Sequence, residues 1–371
     1  MAALLAAFAC ALPALAGPTW TKASPGGGGA FLTADVSDGG VVLVGCDLSG
    51  LYRRQGDGDW TRVGSKDGLD ATSVEVIRWK PGSRSDALAG TRKGLYRTRD
   101  GGVTWAKVAD TNVDAMTVTA LAWKQDVIYL AGAASSGDPE VLLRKSTDGG
   151  KTWAAIKHGI PGNPTHRVVK LAVDAKDPNV VWLLSGHDRF KPGVKELWRS
   201  GDSGKTFTRM SDPAGRAFNA IDVATHPSAP GVVLMTVSND PGPGKSDGKG
   251  AVYTSADGGK TWTAGTGIGD VTGAVGWESD PNTAFLVNVQ TNACGSKRGG
   301  RFGSADRGAT WKRVDDGNTW DMGWTECPAA RGRAMRTVAR TLSPDGSTWV
   351  TAAFSSPSAW TSTQSVGSYL P

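Results

Sequence analysis

One short turn is written five times in this chain: "RTRDGGVTW" (Arg97–Trp105), "KSTDGGKTW" (Lys145–Trp153), "RSGDSGKTF" (Arg199–Phe207), "TSADGGKTW" (Thr254–Trp262) and "GSADRGATW" (Gly303–Trp311). Each copy reads Ser/Thr-x-Asp-x-Gly-x-Thr-aromatic. The aspartates are Asp100, Asp148, Asp202, Asp257 and Asp306, spaced by 48, 54, 55 and 49 residues. A period near 50 residues is the mark of a propeller or a stacked array, in which each unit buries its faces only against its neighbours.

The stretches between copies decide between those options. Each unit opens on an alternating apolar run, such as "VTALAWK" or "VVKLAVD". A second run follows, such as "VIYLAG" or "VVWLLSG", then a third that enters the motif ("GLYRT", "ELWRS"), and a fourth begins at the motif's aromatic residue. Four short strands joined by turns make one antiparallel blade, and no long helical period interrupts them. "AFLTADV", "VVLVGCD", "GLYRR" and "DWTRV" form a further unit before the first copy, and "RTVARTLS", "TWVTAAF" and "SAWTSTQ" form another after the last. The expected fold is therefore all-β: a single seven-bladed β-propeller over residues 17–371, closed by a strand from one terminus completing the other's blade. Closure removes exposed strand edges. Within the motif, the Asp carboxylate is expected to accept backbone N–H bonds of its own turn. The second glycine supplies a backbone shape that a Cβ resists, and the aromatic residue buries toward a neighbouring blade. These five aspartates read as structural, not chemical.

Residues 1–16 are apolar and end in Ala14-Leu15-Ala16, which fits a signal-peptidase site, although only the terminal amine supplies positive charge. The expectation is a secreted or periplasmic monomer with no membrane span, since no segment approaches about 20 apolar residues. The net charge of +6 is spread without a run of five basic residues, which reads as a solvated surface and excludes nucleic acid as partner. Beyond the leader stand Cys46, Cys294 and Cys327; Cys294–Cys327 is the preferred disulfide, because both fall within one repeat. No Cys-x-x-Cys is present and the four histidines lack ligand spacing, so neither a metal nor a cofactor is expected. "GKSDG" (Gly244–Gly248) matches Gly-x-Ser-x-Gly formally but sits in a Gly/Pro-rich loop, not a strand–turn–helix elbow.

The five segments resemble the Asp-box, or bacterial neuraminidase repeat, of sialidases, sortilin-type receptors, a photosystem assembly factor and two-propeller xyloglucanases. The resemblance implies a propeller with its Asp-boxes at the periphery, away from the functional face. A sialidase needs an arginine triad and a tyrosine nucleophile with a glutamate partner. Here Tyr52, Tyr96 and Tyr253 recur in third strands, which argues packing. The opening "GGGGAFLTADVSDGGVVLVGCDLSGLYRR" is similar to the start of the xyloglucanase-type enzymes, and matching their catalytic-base turn onto "CDLSGLYR" puts the base at Asp47, with Cys46 in place of Thr and Ser49 in place of Gly. Those enzymes draw their general acid from a second propeller. Inverting hydrolysis needs two carboxyls roughly 6.5–9.5 Å apart, so a partner for Asp47 must come from another loop or another chain; Glu326 is the candidate on this chain.

Loops between second and third strands, and between blades, carry the remaining candidates: Asp188, Arg189, Asp240, Trp320, Asp321 and Trp324, with aromatic rings to stack on sugars and charges to hydrogen-bond them. The leading expectation is recognition of an extracellular ligand, a polysaccharide or other glycan and in one variant an acidic one. The alternatives are a glycoside hydrolase with Asp47 as base, and a sortilin-like or assembly-factor-like scaffold for an extracellular protein or peptide. If the last long loop binds sugar, Trp324→Ala lowers binding on a glycan array; unchanged binding removes Trp324 from the site.

Overall fold

The computed structural model describes residues 19–23, 31–56, 58–134, 141–160, 167–186, 196–211, 219–238, 250–268, 273–278, 280, 282–288, 300–313, 334–342, 349–356 and 365–370. Their strands hydrogen-bond into seven four-stranded antiparallel sheets, as expected of an all-β propeller. The only helical element among the described residues is a 3-10 turn at Ser65–Asp67. The first sheet runs Phe31–Val36, Val41–Cys46, Leu51–Gln55 and Thr61–Val63; the second runs Val74–Trp79, Ala87–Thr91, Gly94–Thr98 and Ala106–Lys107. Four more follow in the same order. The last sheet takes Ala334–Leu342, Trp349–Ser356 and Ser365–Leu370, and its fourth strand is Thr19–Ala23 from the other end of the chain, paired antiparallel to Ser365–Leu370. The first strand of each sheet lies against the first strand of the next, and that of the last sheet against Phe31–Val36.

The hydrophobic core is divided among the junctions between sheets. One cluster joins Leu43, Leu51 and Val63 of the first sheet to Ile77, Ala89 and Tyr96 of the second. Others join the second sheet to the third, the third to the fourth, the fourth to the fifth and the fifth to the sixth. Strands such as Val41–Cys46 and Ala87–Thr91 are buried at every position, because both of their faces meet another sheet. That explains why the sequence shows unbroken apolar runs where a sheet with one wet face would alternate.

The repeated turns fix these junctions. In each, the first Ser/Thr hydroxyl donates to the Asp carboxylate at 2.7–2.9 Å and accepts the second glycine's N–H at 2.7–2.9 Å. The following Thr donates its hydroxyl to the same carboxylate at 2.5–2.6 Å and its N–H at 2.8–3.0 Å. Charge-assisted bonds of this kind favour the ionised acid. The Thr206, Thr261 and Thr310 hydroxyls and N–H groups draw Asp202, Asp257 and Asp306 down to about 2. Asp148 falls well below the usual range for the same reason. At Asp100 burial pushes upward, yet the bonds from Thr104, Thr98 and Val103 outweigh it. The second glycine has φ between 83° and 88° in all five turns, and a Cβ there would come within 2.5 Å of Trp182 at Gly259 and 2.6 Å of Leu234 at Gly308. Only glycine meets both demands. Ser203 and Arg307 take the first-glycine position at φ 68° and 59°, a left-handed conformation that strains non-glycine residues.

Each of the five turns packs an aromatic residue across its junction, and four of the five also receive a hydrogen bond in the opposite direction. The motif aromatic packs back onto the preceding sheet: Trp105 onto the first, Trp153 onto the second and Trp311 onto the fifth, all buried. Phe207 and Trp262 do the same while half-buried, Trp262 edge-on to Trp182 with ring centroids 6.0 Å apart. From that preceding sheet a third-strand side chain reaches forward to the turn. Arg53 Nε donates to Gly101 O at 2.6 Å, Arg97 Nη1 to Gly149 O at 2.7 Å, Lys145 Nζ to Ser203 Oγ at 3.1 Å and Thr254 Oγ1 to Arg307 O at 3.3 Å. Arg97 is also clamped by both oxygens of Asp86, at 2.8 and 2.7 Å, and stacks over Trp123 of the next sheet. Between the first strands of neighbouring sheets, Asp35 accepts Trp79 N–H at 2.8 Å, Thr119 donates to Val168 O at 2.6 Å, and Asp222 accepts both Lys170 Nζ and Val275 N–H.

Two predictions follow from these junctions. Arg97→Ala leaves the Asp86 carboxylate buried without its bidentate partner, so denaturant unfolding loses about 3 kcal/mol; a loss below about 0.5 kcal/mol, the scale of a surface pair, contradicts the latch. The turn aspartates have folded pKa values below their unfolded ones, so their stabilisation is complete above about pH 4 and vanishes as pH falls toward about 2. Asp257→Asn therefore melts below the parent at pH 7, and the gap closes by about pH 2; a gap that does not change with pH contradicts the assignment.

Candidate functional site

The strand order separates the two ends of every sheet. Phe31, at the start of a first strand, pairs with Cys46, at the end of a second. The loop from second to third strand therefore shares one end with the loop entering the sheet. The repeated turns join third to fourth strands and lie at the other end. There they are tied to the first hairpin of their own sheet: Gly101 N–H to Ser85 O, Gly149 to Asp126, Ser203 to Asn179, Gly258 to Gly231 and Arg307 to Asn282, at 2.9–3.0 Å. The five turn aspartates are thus spent on structure, and Asp47 sits at the opposite end, the mouth.

The Asp47 loop is braced. Cys46 N–H donates to Gly50 O at 2.9 Å, Gly50 N–H to Thr72 O at 2.8 Å, Tyr52 Oη to Ser49 Oγ at 3.1 Å and Arg62 Nε to Ser49 O at 2.9 Å. The buried Cys46 thiol lies 3.6 Å from Asp47 Oδ1. Asp47 itself is half-buried, and Leu48 beside it is 67% exposed. A short loop held on both shoulders presents its carboxylate at little further entropic cost.

The bond from Gly50 to Thr72 leads to a group that motif reading does not reach. Six residues of the first strands are set off by bulges near the mouth end; in the second sheet the register shifts between Val74 and Val76, which singles out Glu75. Bulges re-aim side chains. The Glu75 side chain is 3% exposed, accepts Ser73 Oγ at 2.8 Å and pairs with Arg92 Nε at 3.0 Å. Arg92 lies in the second sheet's own loop between second and third strands, a tight turn in which Thr91 Oγ1 donates to Gly94 O at 2.8 Å and accepts Lys93 N–H at 3.0 Å. Lys93 Nζ is 3.5 Å from Asp70. The signal for Glu75 was a lone acid inside the apolar run "VEVIRW"; nothing in the sequence marked that strand as bulged there.

Asp47 and Glu75 therefore stand on adjoining sheets at the mouth, one half-exposed and one buried against an arginine. Asp188, Arg189, Asp240, Trp320, Asp321, Trp324 and Glu326, and the pair Cys294 and Cys327, lie outside the described residues, as does the segment 1–16. Among the described residues there is no cluster of three or more His, Cys, Asp or Glu that could hold a metal ion, and no helix long and apolar enough to cross a membrane.

The family model described as "Sortilin, neurotensin receptor 3" matches residues 140–358, more than half of the chain. A xyloglucanase of Paenibacillus sp is 26% identical over 198 residues, which are 46% of this chain and 18% of that protein. A xyloglucanase of Hypocrea jecorina (strain QM6a) is 26% identical over 279 residues, 68% of this chain and 28% of that protein. The chain spans less than a third of the length of these curated relatives. The crystal structure of an ancestral GH74 enzyme superposes with a TM-score of 0.59 at 18% identity, over 92% of this chain and 45% of that one. At that identity the superposition shows the propeller fold alone. The fold is thus a β-propeller, and the chain belongs to the Sortilin-Vps10 family.

Proposed function

We propose that this chain is an extracellular, closed, seven-bladed Asp-box propeller that recognises a polysaccharide of the β-glucan or xyloglucan type at its mouth. The observation that carries this reading is the braced presentation of Asp47 at the end opposite the acidic turns. A half-buried carboxylate accepts sugar hydroxyls with charge-assisted bonds, and the neighbouring Leu48 offers an apolar contact to a pyranose face. The two xyloglucanase relatives name the substrate class by analogy. With a second carboxyl across the mouth, Asp47 acts as the base that activates water in an inverting hydrolysis; Glu326 is the partner the sequence nominates. A second reading, binding of an extracellular peptide in the same mouth, is favoured by the family's description as a neurotensin receptor.

The reading is tested with a panel of xyloglucan, mixed-linkage β-glucan and cellulose fragments, scored by calorimetry and by release of reducing ends. The parent binds at least one member, and Asp47→Ala weakens that binding about tenfold with an unchanged melting temperature. Where the parent also releases reducing ends, Asp47→Ala cuts the rate by about 100-fold or more. Equal loss of stability makes Asp47 structural, and binding of peptides with none of these glycans hands the site to the second reading.

A further inference from the structure

The position singled out by the bulge recurs around the molecule. It is Leu32 in the first sheet, Glu75 in the second, Thr119 in the third, Val169 in the fourth, Ile221 in the fifth and Val338 in the last. Only Glu75 among these six is ionisable. Placing a carboxylate there costs desolvation that Leu or Val would not. The ion pair it forms is not a general feature of the fold, so its explanation belongs to this mouth.

The pair uses one edge of the arginine. Arg92 gives its Nε to Glu75 at 3.0 Å, while the side chain is 57% exposed. Among the described residues Nη1 and Nη2 of Arg92 make no hydrogen bond. Glu75 is in turn held by Ser73, and the turn carrying Arg92 is closed by the Thr91 hydroxyl. A buried anion thus anchors the inner edge of a guanidinium whose side chain is otherwise exposed, on the sheet adjoining the one that carries Asp47. Such a fork matches a carboxylate in geometry and charge. Lys93, 61% exposed and 3.5 Å from an exposed Asp70, adds a second cation at the same turn.

We infer that Arg92, positioned by Glu75, binds the carboxylate of a uronic acid, so that the β-glucan-type chain recognised at this mouth carries uronic acid units among its neutral sugars. The inference rests on the proposed polysaccharide reading. Arg92 takes the carboxylate, and Asp47, on the adjoining sheet, takes the hydroxyls of a neighbouring sugar. The like charge of Asp47 disfavours an acidic unit at its own subsite, so recognition favours chains in which acidic and neutral sugars alternate over uniformly acidic ones.

The test compares cellotetraose, a β-1,4-linked tetraglucuronate, an oligosaccharide alternating glucose and glucuronate, and an acidic peptide, by calorimetry at 50 and 300 mM salt. The alternating oligosaccharide binds about tenfold more tightly than cellotetraose at low salt, and the preference shrinks at high salt. Arg92→Gln collapses the ratio to near one. Glu75→Gln keeps the side-chain shape and lowers the ratio several-fold, and it shifts the Arg92 Nε–Hε resonance; a purely structural Glu75 would change melting without changing the ratio. Lys260→Gln, which removes one charge in a turn at the opposite end, keeps the ratio. A ratio near one in the parent overturns the acidic-sugar inference and leaves the polysaccharide reading standing. Failure of every sugar overturns that reading as well, and binding of the peptide alone through Arg92 overturns both.

Discussion

Every described sheet from the first to the sixth is packed between neighbours, and no one of them can exist alone. A four-stranded sheet with both faces apolar exposes far more hydrophobic surface than its own hydrogen bonds can offset. Its faces are covered only by the sheets before and after it in the chain. The stabilising unit is therefore the junction. At the five junctions that carry the turn a motif aromatic points backward, and at four of them a third-strand side chain also bonds forward, so neighbouring repeats hold one another by contacts that neither makes internally. The glycine at φ near 85° lets the turn come close enough for both.

This arrangement divides labour between the two ends of the molecule. The end with the acidic turns is fully committed: carboxylates, hydroxyls and backbone N–H groups satisfy one another within the turn, and the turn is tied to its own first hairpin. Substituents there are paid for in stability. The mouth end has loops that need only return the chain to the next strand, so their side chains are open to other uses. Asp47, Leu48, Arg92 and Lys93 all lie on such loops, and Glu75 lies just beneath them at a bulge. The same logic accounts for the difference between the seven carboxylates that matter most: five are consumed by Ser/Thr hydroxyls and amides, one is held by an arginine and one faces the mouth.

The matched family and the xyloglucanase relatives share a propeller and differ in what their names say of ligand and reaction. The relatives extend far beyond this chain. Glu75 and Arg92 give this mouth a charge pattern that the bare repeat would not have.

Much of the fold was legible in the sequence because its determinants are local and repeated. The Asp, Gly and aromatic residues of the turn act within nine residues of one another, and five copies at near-constant spacing leave little freedom in how the strands connect. Asp47 was legible for the same reason, through the short stretch "CDLSGLYR". The forward-reaching Arg53, Arg97 and Lys145 were in view as residues but not as contacts, since their partners lie 48, 52 and 58 positions away. Glu75 was legible least of all. In an unbroken apolar strand it reads as an interruption, and only the bulge, together with an arginine 17 residues on, gives the carboxylate its place. The sequence by itself determined the repeat, the turn chemistry and the all-β class, because these depend on neighbours along the chain; the tertiary structure alone decided which charges meet at the mouth, because strand register and the stacking of separate sheets bring together residues that no local pattern connects.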